Sequence, residues 1–447
     1  MSDQPEVTAL QEAAARLVEA ARAAGADAAD AVAVKGASQS VEVRLGSLED
    51  STRSEAEDFG LRVFVGNRVA TVSANTLAGL SGLAERAVAM AKVAPPDPWA
   101  GLADPNRLTA ERPDFDLFDG SAPDAERLLQ EATATEDAAR AVEGVTNSGG
   151  ASAYWSHTAV ALVTSGGFSG GYRVSRHGRS VSAIAGSGIG MQRDYDASGR
   201  NHLADLDPLE KIGRTAGERV VRRLNPRQVK TCTATVVFDP RVATGLLGAL
   251  AGAINGAAIA RGTSFLKSKL GQKVFASGIR VTDDPHRRRG PASRPFDGEG
   301  VGADPIDIIS DGVLTTWLLD SASARELGLE TNGRAARGGG SPGPSSTNLL
   351  LHPGEMTQEE LLKSVGTGFY VTEFIGHGVN GITGDYSRGA AGYWIENGEL
   401  TYPVSEVTVA GNLVDMFARM VPANDIEYRS AYVAPTVAIE GLTVAGS

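Results

Sequence analysis

An unbroken uncharged run, residues 242–260, constrains the fold of this chain more than any other stretch. The run, VATGLLGALAGAINGAAIA, is long enough to be weighed as a membrane span. It is small rather than greasy, because thirteen of its nineteen residues are Ala, Gly, Asn or Thr. Asp239-Pro240 precedes it, Arg261 ends it, and a polar GTSFLKSK run follows. No other segment approaches membrane length, so the run reads as a buried helix of a soluble protein with no membrane partner. Gly248, Gly252 and Gly256 recur four apart, which places them on one helical face. Each glycine costs roughly 1 kcal/mol against alanine in a helix interior. A ridge of three implies the close approach of another backbone: an internal element, a partner subunit or an extended peptide.

The rest of the composition is that of a soluble acidic protein. Its 447 residues suffice for two or three domains. Charged residues make up 21% and the net charge is −12. Nucleic-acid binders need a basic surface for phosphate, so no nucleic-acid partner is expected. The short runs Arg287-Arg288-Arg289 and Arg219-Arg222-Arg223 read as solvated faces or interface charges. Cys232 is the only cysteine, which excludes an internal disulfide and fits a reducing cytoplasm. The first residues lack the basic and apolar regions of a secretory signal.

Periodicity divides the chain. Residues 7–24 carry Leu10, Ala14, Leu17 and Ala21 at helical spacing and stop at Gly25. SVEVRLG and GLRVFVGNRVATVS alternate as strands do. Residues 77–94 are helical again and end at Pro95-Pro96. This first unit, 1–96, is separated by a Pro- and Asp-rich linker, 97–122, from a second, 123–226. There helix (125–142), strands and helix (209–224) recur in the same order. The expected architecture is α+β: duplicated helix–sheet–helix lobes forming a pseudo-dimer, then a mainly β C-terminal domain, 227–447, with one buried Gly-rich helix. Asp311-Gly312 and Asn397-Gly398 each separate strand-like runs and suit type I′ hairpin turns. Residues 332–348, NGRAARGGGSPGPSSTN, read as a flexible surface loop or a lid over a cleft.

Several motifs fail on context. Gly376-His377-Gly378-Val379-Asn380-Gly381 matches the dinucleotide fingerprint, but no helix-forming segment follows to meet a pyrophosphate. Gly167-Phe168-Ser169-Gly170-Gly171 matches a nucleophile elbow, yet both flanks read as strands. The six histidines are scattered, none at helical metal-site spacing from another. His377, Asp385 and Ser387 are the types of a triad, but nearness in sequence does not make one. The polar cluster Thr372, Glu373, His377, Asn380, Thr383, Asp385, Ser387 and Arg388 crowds a glycine-rich loop beside a strand. Such a loop suits recognition of a second backbone, or serves only its own fold.

At these residues a resemblance becomes specific. GFYVTEFIGHGVNGITGDYSRGAAGYWIENGELTYPVSEVTVAGNLVDMF resembles the C-terminal signature of the TldD/PmbA family, on its PmbA-like (TldE-like) side. VVFDPRVATGLLGALAGAINGAAIARGTSFLKSKLGQKVF and RGPASRPFDGEGV are similar to other segments of that family. The resemblance spans essentially the whole chain. It implies a cytoplasmic protease system in which a TldD-like and a PmbA-like subunit form a heterodimer that cuts unfolded or extended peptides. The TldD-like subunit carries H-E-x-x-x-H, whose histidines bind zinc and whose Glu acts on the metal-bound water. In this chain the corresponding positions fall on Gly248, Ala249 and Ala253, which carry no ligand atom. The resemblance thus implies a zinc-less subunit: no metal, no cofactor and no catalytic residue of its own. Zinc is expected in the TldD-like partner. Gly252, Gly256, Arg261, Thr263, Thr372, Glu373, His377, Asn380, Asp385, Ser387 and Arg388 are the candidates for the substrate or partner cleft. Two other readings stand beside it. One is a self-sufficient peptidase with a metal site of scattered His, Asp and Glu. The other is a non-enzymatic homodimeric regulatory protein; in the PmbA-like reading, too, a homodimer is an expected state of the chain when alone.

Overall fold

Long alternating segments dominate the first half of the chain and set its architecture. The computed structural model describes residues 5–111 and 113–447. The first unit contains helix α1 (Pro5–Ala23), strands β1 (Ala28–Arg44), β2 (Ser47–Val65) and β3 (Arg68–Ala74), and helix α2 (Leu80–Val93). The second contains α3 (Ala125–Arg140), β4 (Val145–Thr164), β5 (Ser169–Ala185), β6 (Gln192–Arg200) and α4 (Leu209–Arg222). Their strands join into one antiparallel sheet of order β3-β2-β1-β4-β5-β6. At about 3.3 Å per residue, the longest strands reach roughly 60 Å.

Both helix pairs cover the same face of this sheet. Ala29, Ala31 and Ala33 of β1 pack with Leu61 and Ala161 beneath α1 and α2. Farther along the same strands, Val41, Val43, Ala153 and Val181 pack beneath α3 and α4. The opposite face meets the C-terminal half. There Leu162 packs with Phe168 and Phe296, and the buried Asp30 of β1 pairs with Arg62 and with Arg337 at 2.5 Å.

The C-terminal half runs β7 (Cys232–Phe238), α5 (Pro240–Ala253), α6 (Gly256–Ala260), β8 (Val281–Asp283), β9 (Ile306–Ser310), β10 (Val313–Leu314), α7 (Ser321–Glu326), β11 (Ala335–Ala336) and β12 (Gly343–Pro344). It continues with β13 (Leu349–Leu351), α8 (Gln358–Val365), β14 (Gly368–Ile375), β15 (Asp385–Glu396), β16 (Glu399–Asn412), α9 (Leu413–Ala418), β17 (Met420–Pro422) and β18 (Val437–Ala445). One sheet has the order β16-β15-β14-β7-β18-β17, and β16 also pairs with β18, closing a barrel. Phe238, Phe369, Val409 and Ile439 share its core with Leu246 and Leu250 of α5. The class is α+β with a sheet-rich C-terminal region. Both expected hairpins form: Asp311 and Gly312 (φ 48° and 78°) and Asn397 and Gly398 (φ 54° and 81°) occupy the left-handed region that a type I′ turn requires. Among the described residues no helix is long and apolar enough to cross a membrane.

Two expectations are corrected. The Gly-rich run is not one buried helix but two, broken at Ile254-Asn255. Leu318 N donates to Ile254 O (2.9 Å) and Gly256 N donates to Leu318 O (2.9 Å), so a neighbouring segment takes up the hydrogen bonds a continuous helix would make. Asn255 then caps α6 through Ala258 N (3.2 Å). The break turns Gly256 away from the face that carries Gly248 and Gly252. The 332–348 loop, in turn, is no free excursion. Arg334 is fully buried in an ion pair with Asp283, β11 pairs with β12, and Arg337 reaches Asp30 of the first unit. Only residues 338–341 at its tip are exposed, and Ser341 still meets Thr71 of β3 at 3.1 Å.

Candidate functional site

Asp239 opens α5 as its N-cap, accepting from Arg241 N at 2.9 Å, with Pro240 in the first turn. Leu246, Leu247, Leu250 and Ala253 bury the inner side. The outer stripe is Gly245, Gly248 and Gly252, all exposed. A methyl group at Gly252 would meet nothing within 4 Å. At Gly248 its nearest neighbour would be Tyr432 Cε2 at 4.0 Å, and at Gly245 it would be Arg388 Nη1 at 3.9 Å. Among the described residues nothing requires glycine at these positions, yet each one weakens the helix. Gly256 is the opposite case, since its added Cβ would lie 2.7 Å from Leu318 O and from Ser323 Oγ. It is an internal packing glycine and leaves the candidate cleft.

The predicted polar loop follows β14 and borders the stripe through Arg388. A bulge between Val371 and Glu373 turns Thr372 inward, where its hydroxyl donates to Ala391 O at 3.4 Å. Asn380 Oδ1 accepts from Ile382 N (3.0 Å) and Thr383 N (3.3 Å). Asp385 accepts from Thr383 Oγ1 (2.6 Å) and Asn412 Nδ2 (3.1 Å), which hold its carboxyl below the usual carboxylate range. Ser387 N donates to Gly378 O at 2.7 Å. Arg388 donates to Gly376 O (3.1 Å) and stacks 4.9 Å from the Phe374 ring. The side chains of His377 and Ser387 are exposed. Among the described residues no hydrogen bond joins the side chains of His377, Asp385 and Ser387, so they form no triad. Arg261 and Thr263 are exposed beyond α6. Phe265 N donates to Gly381 O (3.0 Å), which ties this segment to the loop. The α5 stripe, the end of α6 and the 372–388 loop therefore border one region.

A charged relay behind that region was invisible in the sequence. Asp194 of β6, almost fully buried, lies 2.9 Å from Arg241 Nη1 and 3.3 Å from Arg223 Nη1. Arg223 continues to Glu373 at the start of the loop. Arg241 also meets Asp239 (3.2 Å), which accepts from the Tyr370 hydroxyl at 3.1 Å. Burial opposes the Arg241 charge, but Asp239 and Asp194 outweigh it and raise its proton affinity above the ordinary value. Burial, then Asp239, pushes the Tyr370 hydroxyl well up. The relay fixes the second unit to the N-terminus of α5.

Three of the six scattered histidines also converge. His157 and His177 lie 6.2 Å apart between ring centres. His177 Nε2 stands 3.8 Å from Asp119, and His202 Nε2 stands 3.3 Å from Asp116. Burial lowers the His177 pKa; Asp119, despite its own burial, falls to about 2 because the Leu203 and Ser121 amides donate to it. Yet among the described residues no group of three or more His, Cys, Asp or Glu side chains is placed to hold a metal ion. On α5, Gly248 is exposed, Ala249 is half-buried and Ala253 is buried against the core. A zinc ion needs nitrogen, sulfur or oxygen donors, and this set does not fit one.

Comparison with known proteins gives the class. The chain matches the family models for PmbA/TldA metallopeptidase domain 1 over residues 29–91, the central domain over 118–224 and the C-terminal domain over 231–446. The chain belongs to the PmbA/TldD metallopeptidase family. It is 39% identical to the metalloprotease PmbA of Escherichia coli O157:H7, over 94% of this chain and 92% of that protein. It is 36% identical to the metalloprotease PmbA homolog of Haemophilus influenzae, over 98% and 96%. Among solved structures it resembles a putative modulator of DNA gyrase from Bacteroides thetaiotaomicron, with a TM-score of 0.90 at 27% identity, covering 98% and 99% of the two chains. TldE from Thermococcus kodakarensis shares the fold, with a TM-score of 0.86 at 18% identity over 97% and 99%.

Proposed function

We propose that this chain is the zinc-less, PmbA/TldE-like subunit of a cytoplasmic two-component metallopeptidase acting on unfolded or extended peptides. A TldD-like partner supplies the zinc and the general base. This chain closes the chamber and holds the substrate backbone along Gly248 and Gly252 and against the loop from Thr372 to Arg388. The observation that carries the reading is the exposed glycine stripe of α5. Those glycines cost helix stability and relieve no crowding among the described residues, so a selective reason lies in a second backbone that comes close. The mirrored strand order of the central sheet supports a duplication of the two N-terminal units as a pseudo-dimer.

The test is reconstitution. The chain alone should carry no stoichiometric zinc and cleave no peptide, while addition of a TldD-like subunit should give a 1:1 complex and cleavage of an unstructured peptide. Stoichiometric zinc with peptidase activity in the lone chain would overturn the proposal.

A further inference from the structure

A cavity of about 560 Å³ opens where the end of β6 meets the segments around β8 and β13. Six arginines line it: Arg200, Arg280, Arg287, Arg288, Arg289 and Arg429. This concentration runs against a net charge of −12 for the whole chain. Asp284 is the single carboxylate among the lining residues, and it is engaged with His286 N at 2.8 Å.

Most of these arginines have carboxylate partners outside the cavity. Arg280 meets Asp307 at 2.9 Å, Arg288 and Arg289 share Asp116 at 2.9 and 2.7 Å, and Arg289 also meets Asp205 at 2.8 Å. Arg429 meets Asp196 at 2.9 Å, and Arg200 meets Asp207 at 3.4 Å. Arg287 differs. It donates to the carbonyl of Ser430 (2.7 Å) and lies 5.5 Å from the Tyr428 ring. Among the described residues no carboxylate lies within ion-pair distance of it. Arg176, which donates to the carbonyl of Pro291 on the cavity wall, also lacks one. Burial lowers the proton affinity of both; for Arg287, Tyr428 and Asp284 oppose that effect while Arg176 and Arg200 add to it.

Two guanidinium groups without an ion-pair partner, beside five more whose carboxylate partners lie outside the cavity, leave positive charge facing it that Asp284 offsets only in part. A lone carboxylate supplies one charge. A phosphate group supplies nearly two and presents oxygens that match the guanidinium fork. The cavity also exceeds what a bare phosphate fills and lies in the size range of small-molecule sites, with Tyr428, Leu350 and Pro291 as less polar walls. We propose that this cavity binds a small phosphate-bearing organic anion, with Arg287 as its central contact. The site is independent of the peptidase reading.

The test is calorimetric titration of the full chain at fixed ionic strength with pyrophosphate, phenyl phosphate and a tetraglutamate peptide. Pyrophosphate and phenyl phosphate should bind and tetraglutamate should not. Arg287→Ala should weaken binding by about tenfold or more, the loss of one charge-assisted contact, and Arg287→Lys should fall between. A second measurement does not depend on a variant that folds: phenylglyoxal labelling of Arg287, read by mass spectrometry, should slow when pyrophosphate is present. Absent binding and protection, unchanged affinity in Arg287→Ala, or a preference for tetraglutamate would each overturn the assignment.

Discussion

Replacing Gly248 by alanine should stabilise the isolated chain, and the same change at Gly256 should destabilise it. Gly248 lies mid-helix in α5 with its outer side exposed, and the added methyl meets only Tyr432 Cε2 at 4.0 Å, an ordinary contact. The expected gain is then the helix-propensity difference, about 1 kcal/mol. At Gly256 the methyl would sit 2.7 Å from Leu318 O, which accepts the hydrogen bond that holds the break between the helices. That carbonyl cannot yield without loosening the joint, so an overpacking cost of roughly 1–3 kcal/mol applies. If the 447 residues melt together, an unfolding entropy of about 2.1 cal/mol/K per residue converts these to about 1 °C upward and 1–3 °C downward. Scanning fluorimetry with urea unfolding as a cross-check reads both. A destabilised Gly248→Ala chain would show that the stripe packs against something within the monomer, and a neutral Gly256→Ala would refute its enclosure. With the partner subunit present, the sign at Gly248 should reverse: the stabilised variant should assemble or cleave less well.

Three other outcomes are expected. Asp283→Asn should cost about 3–5 kcal/mol in chemical denaturation, because it strips the charge from a fully buried pair and leaves Arg334 uncompensated; a loss under 1 kcal/mol would contradict this. Glu299 is raised from 4.5 to about 7 by burial and then by Asp297. An acid with a raised folded pKa binds more protons folded than unfolded, so it removes stability as pH rises from 4.5 through 7. The advantage of Glu299→Gln over the parent should therefore grow from pH 5 to pH 8, and a difference flat across that range would dismiss the linkage. Arg337→Ala frees the 338–341 tip from Asp30, and limited proteolysis should cut there faster; an unchanged rate would mean that Thr71 and the β11–β12 pairing already suffice.

Features that depend on neighbours in sequence were legible. The Asp-Gly and Asn-Gly turns formed where expected because their φ preferences are local. The four N-terminal helices appeared within a few residues of their apolar periods. What depended on distant partners was hidden. The break at Asn255 comes from Leu318, more than sixty residues on, and propensity alone predicts one continuous helix. The Gly- and Pro-rich loop looked mobile because its anchors, Asp283 and Asp30, lie far upstream. At the site, sequence singled out the α5 glycines and the polar loop, but spacing could not say that Gly248 and Gly252 face outward while Gly256 faces in. Nor could it place Asp194 between Arg223 and Arg241, since the three lie on separate elements.

The continuous strands of the central sheet bind the two N-terminal units in a further way. Ala33 under one helix pair and Val41 under the other belong to β1, which pairs with β4 without a register shift between them. Inserting one residue near Ala37 would leave one end in register and invert the other, sending its apolar set to the wrong side. Only paired insertions or deletions, or a compensating bulge, preserve both ends. The lengths of β1 and β4 are thereby locked in parity, and divergence of either unit is confined to its turns and helices.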